Sequence, residues 1–193
     1  MTHAHRALLR TIALGLLAAG IGGGTACAQP PKATAATKDG SHGFDFELGS
    51  WKTHVRVLRH PLSGSSTWAE YDGTTLVTPL LGGRANVAEL QVRGSAGTIE
   101  GLSLRLYEPA AHRWTLNYTN IRDGELTTPV VGSFENGRGT FIGRDALGGR
   151  PILVRFVIVP LTPDSIRFEQ SFSADDGKTW ELNWIAQDAR MRR

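Results

Sequence analysis

From Trp51 to Arg190 the chain runs in short segments of alternating apolar and polar residues, broken by turn-forming residues roughly every 8 to 15 positions. No stretch of helix length carries a 3.6-residue period. Segments of this kind can bury their apolar faces only by pairing edge to edge, so the pattern predicts an all-β domain. Gly82-Gly83 and Asn136-Gly137 predict two-residue hairpins, because type I′ turns need positive φ at both central residues. Gly94 to Thr98, Glu108 to His112, Leu161 to Pro163 and Asp175 to Gly177 predict longer turns.

Centring a hairpin on each turn sets apolar residues opposite one another. Around Pro109, Leu106 is placed opposite Trp114, Leu104 opposite Leu116 and Leu102 opposite Tyr118; around Ser95 and Ala96, Leu90 opposes Leu102. The first hairpin, centred on Ser63 and Gly64, puts Val57 against Tyr71 and Trp51 against Val77. Around Asp176, Phe172 opposes Trp180 and Phe168 opposes Trp184, and across the turn at Thr162 Arg155 opposes Glu169. The expected fold is an antiparallel up-and-down β-barrel of about ten strands. Its outer face would carry Glu89, Gln91, Ser103, Arg105, Asn117, Arg167, Glu169, Glu181 and Asn183. Its inner face would set Tyr71, Tyr118, Asn120 and Gln170 among Trp114, Phe156, Phe168, Phe172, Leu182 and Trp184. Side chains can fill an eight-stranded barrel, so a ten-stranded one should leave room inside.

Immediately before the first strand stands Phe44-Asp45-Phe46-Glu47-Leu48-Gly49-Ser50-Trp51. Its G-x-W resembles the opening of the calycin (lipocalin-like) barrels, in which the Trp plugs the barrel floor. That resemblance implies a last-strand Arg packed over the Trp, and Arg190 is at a compatible place. With the final strand from Trp184 to Arg190, the F-D-F-x-x-G-x-W start resembles a large bacterial family of exported proteins classed as a domain of unknown function. This likeness spans Phe44 to Arg190 and implies a fold but no activity. Nitrobindin-like calycins bind haem through a late His, and the last strands here contain none.

Residues 1–28 read as a signal peptide, with Arg6 and Arg10 as its basic region, Thr11 to Ile21 as its apolar run and Ala26-Cys27-Ala28 as its cleavage site. The apolar run is short of the roughly 20 residues that a spanning helix needs. The expected localisation is therefore periplasmic or secreted. Cleavage before Cys27 would instead make a lipoprotein, but Gly24 stands where a branched apolar residue is usual. Cys27 is the chain's one cysteine, so a domain cleaved after Ala28 has no disulfide. Residues 29–42, rich in Pro, Ala, Thr, Lys and Gly, read as a flexible linker, 43–190 as a single barrel domain, and 191–193 as a basic tail. Loss of Arg6 and Arg10 lowers the net charge from +3 to about +1, which argues against nucleic acid as a partner.

Ser173-Ala174-Asp175-Asp176-Gly177-Lys178-Thr179-Trp180 matches the S-x-D-x-G-x-T-W pattern of the Asp box, a hairpin motif of sialidases and other propellers. A single copy cannot build a propeller, so a structural hairpin is expected. His42, His54, His60 and His112 are too scattered to predict a metal site. Asp45 with Glu47, and Asp175 with Asp176, read as turn caps. G-x-S-x-G, P-loop and H-E-x-x-H motifs are absent, Gly82-Gly83 and Gly148-Gly149 mark turns, and no catalytic residue or cofactor is expected.

The sequence thus points to an exported barrel that binds a small apolar or amphipathic ligand through Trp51, Tyr71, Trp114, Tyr118, Gln170 and Trp184. Tyr118 and Gln170 would orient the ligand, and Trp114 and Trp184 would pack against it. One alternative is a cofactor-free isomerase, cyclase or hydrolase acting on a lipophilic substrate in the same barrel. Another is a structural or interaction module without a ligand. A binder requires a cavity of a few hundred Å³, an enzyme a buried ionisable group aimed at it, and a structural module a collapsed interior with an apolar patch outside. The sequence leaves the oligomeric state open.

Overall fold

The structure is a computed structural model that describes residues 39–192. The leader over 1–28 with Cys27, and the linker up to residue 38, lie outside the described residues. Ten strands follow one another: β1 (Gly49–Leu58), β2 (Trp68–Leu80), β3 (Ala85–Gly94), β4 (Gly97–Glu108), β5 (Arg113–Asn120), β6 (Val130–Glu135), β7 (Arg138–Leu147), β8 (Arg150–Thr162), β9 (Ser165–Ser173) and β10 (Glu181–Arg190). Each pairs antiparallel with the next, and β10 returns to β1 to close the barrel. Closure pairs each strand with two neighbours, so none is a free edge strand, although the β5–β6 ladder is short. Among the described residues, no helix is long and apolar enough to cross a membrane.

One end of the barrel is plugged by the segment that leads into β1. Gly49, at φ +114°, turns the chain from the 3₁₀ turn Asp45–Glu47 into the strand, a conformation other residues adopt only under strain. Phe44 reaches the barrel floor and packs edge-on against Trp114 and Phe134, at 4.9 and 4.8 Å between ring centres, and stacks on Phe141 at 5.7 Å. Residues 39–42, assigned to the linker from sequence, also meet the floor: the Gly40 carbonyl accepts a 2.9 Å bond from the Trp114 indole, and the Asp39 carbonyl accepts one from the Tyr107 hydroxyl. Trp51 donates to the Glu47 carbonyl at 2.6 Å. Arg190 lies over the Trp51 ring at 4.0 Å and donates to the Leu48 and Phe46 carbonyls at 2.9 and 2.8 Å, the arrangement that the calycin resemblance implies.

The strand registers differ from expectation by one or two residues, with different consequences. Trp51 pairs with Thr75, Val57 with Ala69 and Val55 with Tyr71, a shift of two that keeps every side chain on its face. Between β8 and β9 the shift is again two: Val157 opposes Glu169, Arg155 opposes Ser171, and Glu169 bonds Arg167 instead at 2.7 Å. On both edges of β4, however, the shift is one. Leu106 pairs with Thr115, Tyr107 with Trp114, Arg105 with Leu116 and Glu89 with Leu102. A one-residue slip turns a whole strand over. Ser103 and Arg105 therefore face inward and Leu102, Leu104 and Leu106 outward, the reverse of the sequence expectation.

Arg105 explains this inversion. Inside, it forms a buried ion pair with Glu47, and its guanidinium lies 4.5 Å from the Phe44 ring. Facing outward, it would leave the Glu47 carboxylate buried and unpaired, at a cost of several kcal/mol. A bulge between Leu182 and Trp184 accounts for a second departure. It buries Asn183, expected outside, where it accepts a 2.8 Å bond from Gln170. It also puts Leu182, expected inside, on the face of Ser171 and Arg155, while Phe168 opposes Ala186 rather than Trp184 and Phe172 opposes Glu181 rather than Trp180. Asn136-Gly137 makes the expected two-residue turn, whereas Gly82-Gly83 lies in a longer connection with the 3₁₀ turn Leu81–Gly83.

The Asp-box hairpin is knit locally. Asp175 accepts bonds from the Ser173 hydroxyl (2.7 Å), the Thr179 amide (2.9 Å) and the Thr179 hydroxyl (2.6 Å), which together hold its carboxyl down at about 2. Gly177 takes the positive φ, and Trp180 folds back to donate to the Gly177 carbonyl at 3.0 Å.

The inverted β4 gives a sharp expectation for unfolding in urea. Arg105→Met, which strands Glu47, should lower the unfolding free energy by about 3 to 5 kcal/mol. Leu106→Ala, on the outer face, should change it by less than about 1 kcal/mol.

Candidate functional site

Above the plugged floor the barrel is hollow, with a cavity of about 290 Å³. This is close to the lower end for small-molecule sites. Its walls come from the inward residues of β8, β9 and β10: Val154, Phe156 and Ile158, then Ile166, Phe168 and Phe172, then Trp184 and Ala186. Opposite them stand Val77, Ala88, Leu90 and Leu116. Phe156 and Phe168 meet edge-on, 5.1 Å between ring centres. Period-two alternation on successive strands produces this wall.

The rim is polar. β5 and β6 pair only from Trp114 opposite Gly132 to Leu116 opposite Val130. Beyond Leu116 the strands part, and the loop over residues 121–129 leans across, with the Thr127 amide donating to the Tyr118 carbonyl at 2.8 Å. Thr127, Thr128, Arg144 and Asp145 line the cavity there and are exposed, which marks this side as its mouth.

The floor end of the cavity carries its buried charges. Glu47 and Arg105 reach it as an ion pair, with Asn86 3.4 Å from the guanidinium. Beside them Asp188 accepts a 2.5 Å bond from the Thr53 hydroxyl, which in turn lies 2.7 Å from the Thr75 hydroxyl. Burial pushes the Asp188 carboxyl up to about 6; the Thr53 bond and the Arg105 charge lower it, and the Glu47 charge raises it.

Four of the six residues assigned to the ligand site from sequence line this cavity: Trp51, Tyr118, Gln170 and Trp184. Tyr118 lies opposite Ser103, and its ring fits because it reaches over Gly101, where an added Cβ would lie 2.3 Å from the phenol oxygen. Burial raises the Tyr118 phenol above its usual range, with the Asp123 charge adding to the effect. Gln170 spends its amide N–H on Asn183. The other two lie elsewhere. Trp114 is buried in the floor against Phe44, and Tyr71 packs in a separate cluster with Val55, Ala69, Val92 and Ala186. Asn120, expected inside, caps the following turn through the Arg122 amide at 2.8 Å. His54 and His42 pair with Asp72 and Asp45 at the surface, at 2.9 and 2.8 Å.

The polar residues at the floor, Glu47, Thr53, Thr75, Ser103, Arg105 and Asp188, were absent from the sequence assignment. Two had a readable signal. Thr53 follows Trp51 by two residues and Asp188 follows Trp184 by four, so each shares its strand's inward parity.

No family model matches the chain, and no curated protein matches it. Among solved structures, the chain is similar to an S-type phycobiliprotein lyase, CPES, from Guillardia theta, with a TM-score of 0.54 at 14% identity over 78% of this chain and 91% of that one. It is also similar to Rv2717c from M. tuberculosis, with a TM-score of 0.52 at 14% identity over 78% of this chain and 98% of that one. At such identity the likeness is one of fold: a calycin-like barrel.

The Asp188 environment sets a pH dependence. A carboxyl whose pKa is raised on folding adds stability below its unfolded value near 3.8, and that stability is lost as pH rises through about 6. Asp188→Asn removes this dependence. Between about pH 4 and pH 7 the wild type should therefore lose on the order of 2 kcal/mol relative to the variant, measured by urea unfolding at each pH.

Proposed function

We propose that this protein is an exported ligand-binding barrel that holds a small apolar or amphipathic molecule in its interior. The observation that carries this reading is the cavity of about 290 Å³ walled by Phe156, Phe168, Phe172 and Trp184. A packed core leaves few voids larger than a water molecule, so a space of this size forfeits dispersion contacts that a ligand would restore. The mouth beside Thr127 and Arg144 gives an entry route, and Trp51, Tyr118, Gln170 and Trp184, which line the cavity, would touch what enters. Periplasmic or secreted localisation is part of the proposal and rests on the sequence of residues 1–28 alone.

A second reading is favoured by one specific feature. Asp188 is an acid in a cavity lining, pushed up to about 6 by burial and joined to Thr53 and Thr75 by hydrogen bonds. Groups of this kind serve as general acids and bases, so proton transfer on a lipophilic substrate is the alternative activity. The enzyme reading needs turnover and the binding reading does not.

Titration with naphthalene, followed through tryptophan fluorescence, tests the cavity directly. Saturable binding is expected for the wild type. Ala186→Phe, which fills the wall, should weaken it about tenfold or more while leaving the far-ultraviolet circular dichroism unchanged. Absence of saturation in the wild type contradicts the reading.

A further inference from the structure

Among the described residues, five charged side chains line the cavity: Glu47, Arg105, Arg144, Asp145 and Asp188. Four of them need no further counter-charge, although the buried Arg105 Nε has no hydrogen-bond partner among the described residues. Glu47 and Arg105 neutralise each other, and Arg144 and Asp145 stand exposed at the rim, where water and salt screen them. Asp188 differs. On β1 it faces Thr53 and on β9 it faces Ile166, neither of which is charged. Arg190, two residues on, is engaged by the Leu48 and Phe46 carbonyls and the Trp51 ring. From the floor segment Glu47 and from β4 Arg105 act on Asp188 in opposite directions, with Glu47 the stronger. Among the described residues, the ionised Asp188 is thus a carboxylate in the cavity floor without a cation of its own.

A buried charge is costly unless it is paired, and this one shares its cavity with Phe156, Phe168 and Trp184, rings whose faces attract cations. We propose that the ligand is a cationic amphiphile, a protonated primary or secondary amine on an apolar or aromatic body, with its ammonium against Asp188 and its body along Phe156, Phe168 and Trp184. The ammonium would donate to the carboxylate and to the Thr75 hydroxyl. An anionic head would instead add a second negative charge beside the ionised Asp188. This inference rests on the ligand-binding reading and narrows it to one class of head group.

Three probes with the same alkyl chain separate the possibilities: decylammonium, decanol and decanoate, titrated calorimetrically into the mature protein at about pH 8, where the amine is still charged. Decylammonium should bind about tenfold or more tightly than either of the others. Asp188→Asn should cost decylammonium about tenfold and leave decanol within about twofold. In the wild type alone, lowering the pH to about 4.5 should weaken decylammonium by a similar factor; this arm does not depend on the variant folding. Equal binding of decanol, or tighter binding of decanoate, overturns the amine assignment and leaves the ligand-binding barrel standing. Failure of all three to bind overturns both.

Discussion

The buried ion pair between Glu47 and Arg105 is the contact on which the rest of this barrel depends. A guanidinium can enter an apolar interior only with a partner, and the partner comes from the segment that plugs the floor. The pair therefore does two things at once. It decides which face of β4 turns inward, and it ties Asp45–Glu47 down so that Phe44 reaches Trp114, Phe134 and Phe141. Arg190 and Trp51 clamp the same segment from β10 and β1. With the floor fixed from three strands, the upper barrel need not collapse to be stable.

That division of labour separates stability from function along the barrel axis. The aromatic packing that makes the molecule rigid lies at the floor, where Phe44, Trp114 and Phe141 are buried almost completely. Above it, ten strands enclose more volume than Phe156, Phe168, Phe172 and Trp184 fill. Charged groups lie at the two ends of the space, with Asp188 beside Thr53 and Thr75 below and Arg144 and Asp145 at the mouth, while Tyr118 and Gln170 add polar atoms to the wall between. An interior that is apolar in the middle and polar at the bottom has a direction, and a molecule that enters it would be oriented.

Fold class and strand number were legible because period-two alternation and turn chemistry are local signals. Registers off by two, as at Trp51 with Thr75 and Trp184 with Gln170, leave each face intact, and so Trp184 and Gln170 face the interior as expected; Tyr118 does so too because the one-residue slip beside it turns over β4 and not β5. β4 failed for a physical reason. Leu102, Leu104 and Leu106 offered the more apolar face, and only the distant Glu47 makes the Arg105 face the inner one. A contact separated by 58 residues leaves no trace in local alternation. The bulge at Asn183 was hidden in the same way, because its driving contact is the bond from Gln170 on the neighbouring strand. Tyr71 and Trp114 show a different limit. Parity tells that a side chain points inward, but its height along the axis, at the floor, in the cavity or in a separate cluster, depends on strand tilt and closure.

The central claim is that the interior is a binding site rather than an unfilled remnant of the core. A crystal structure of the protein purified from its own host, without added ligand, tests it most directly. The account predicts continuous non-protein density along Phe156, Phe168 and Trp184 that ends within hydrogen-bond distance of Asp188. A cavity closed by rotation of those same rings, with no density and no room for any, would contradict it.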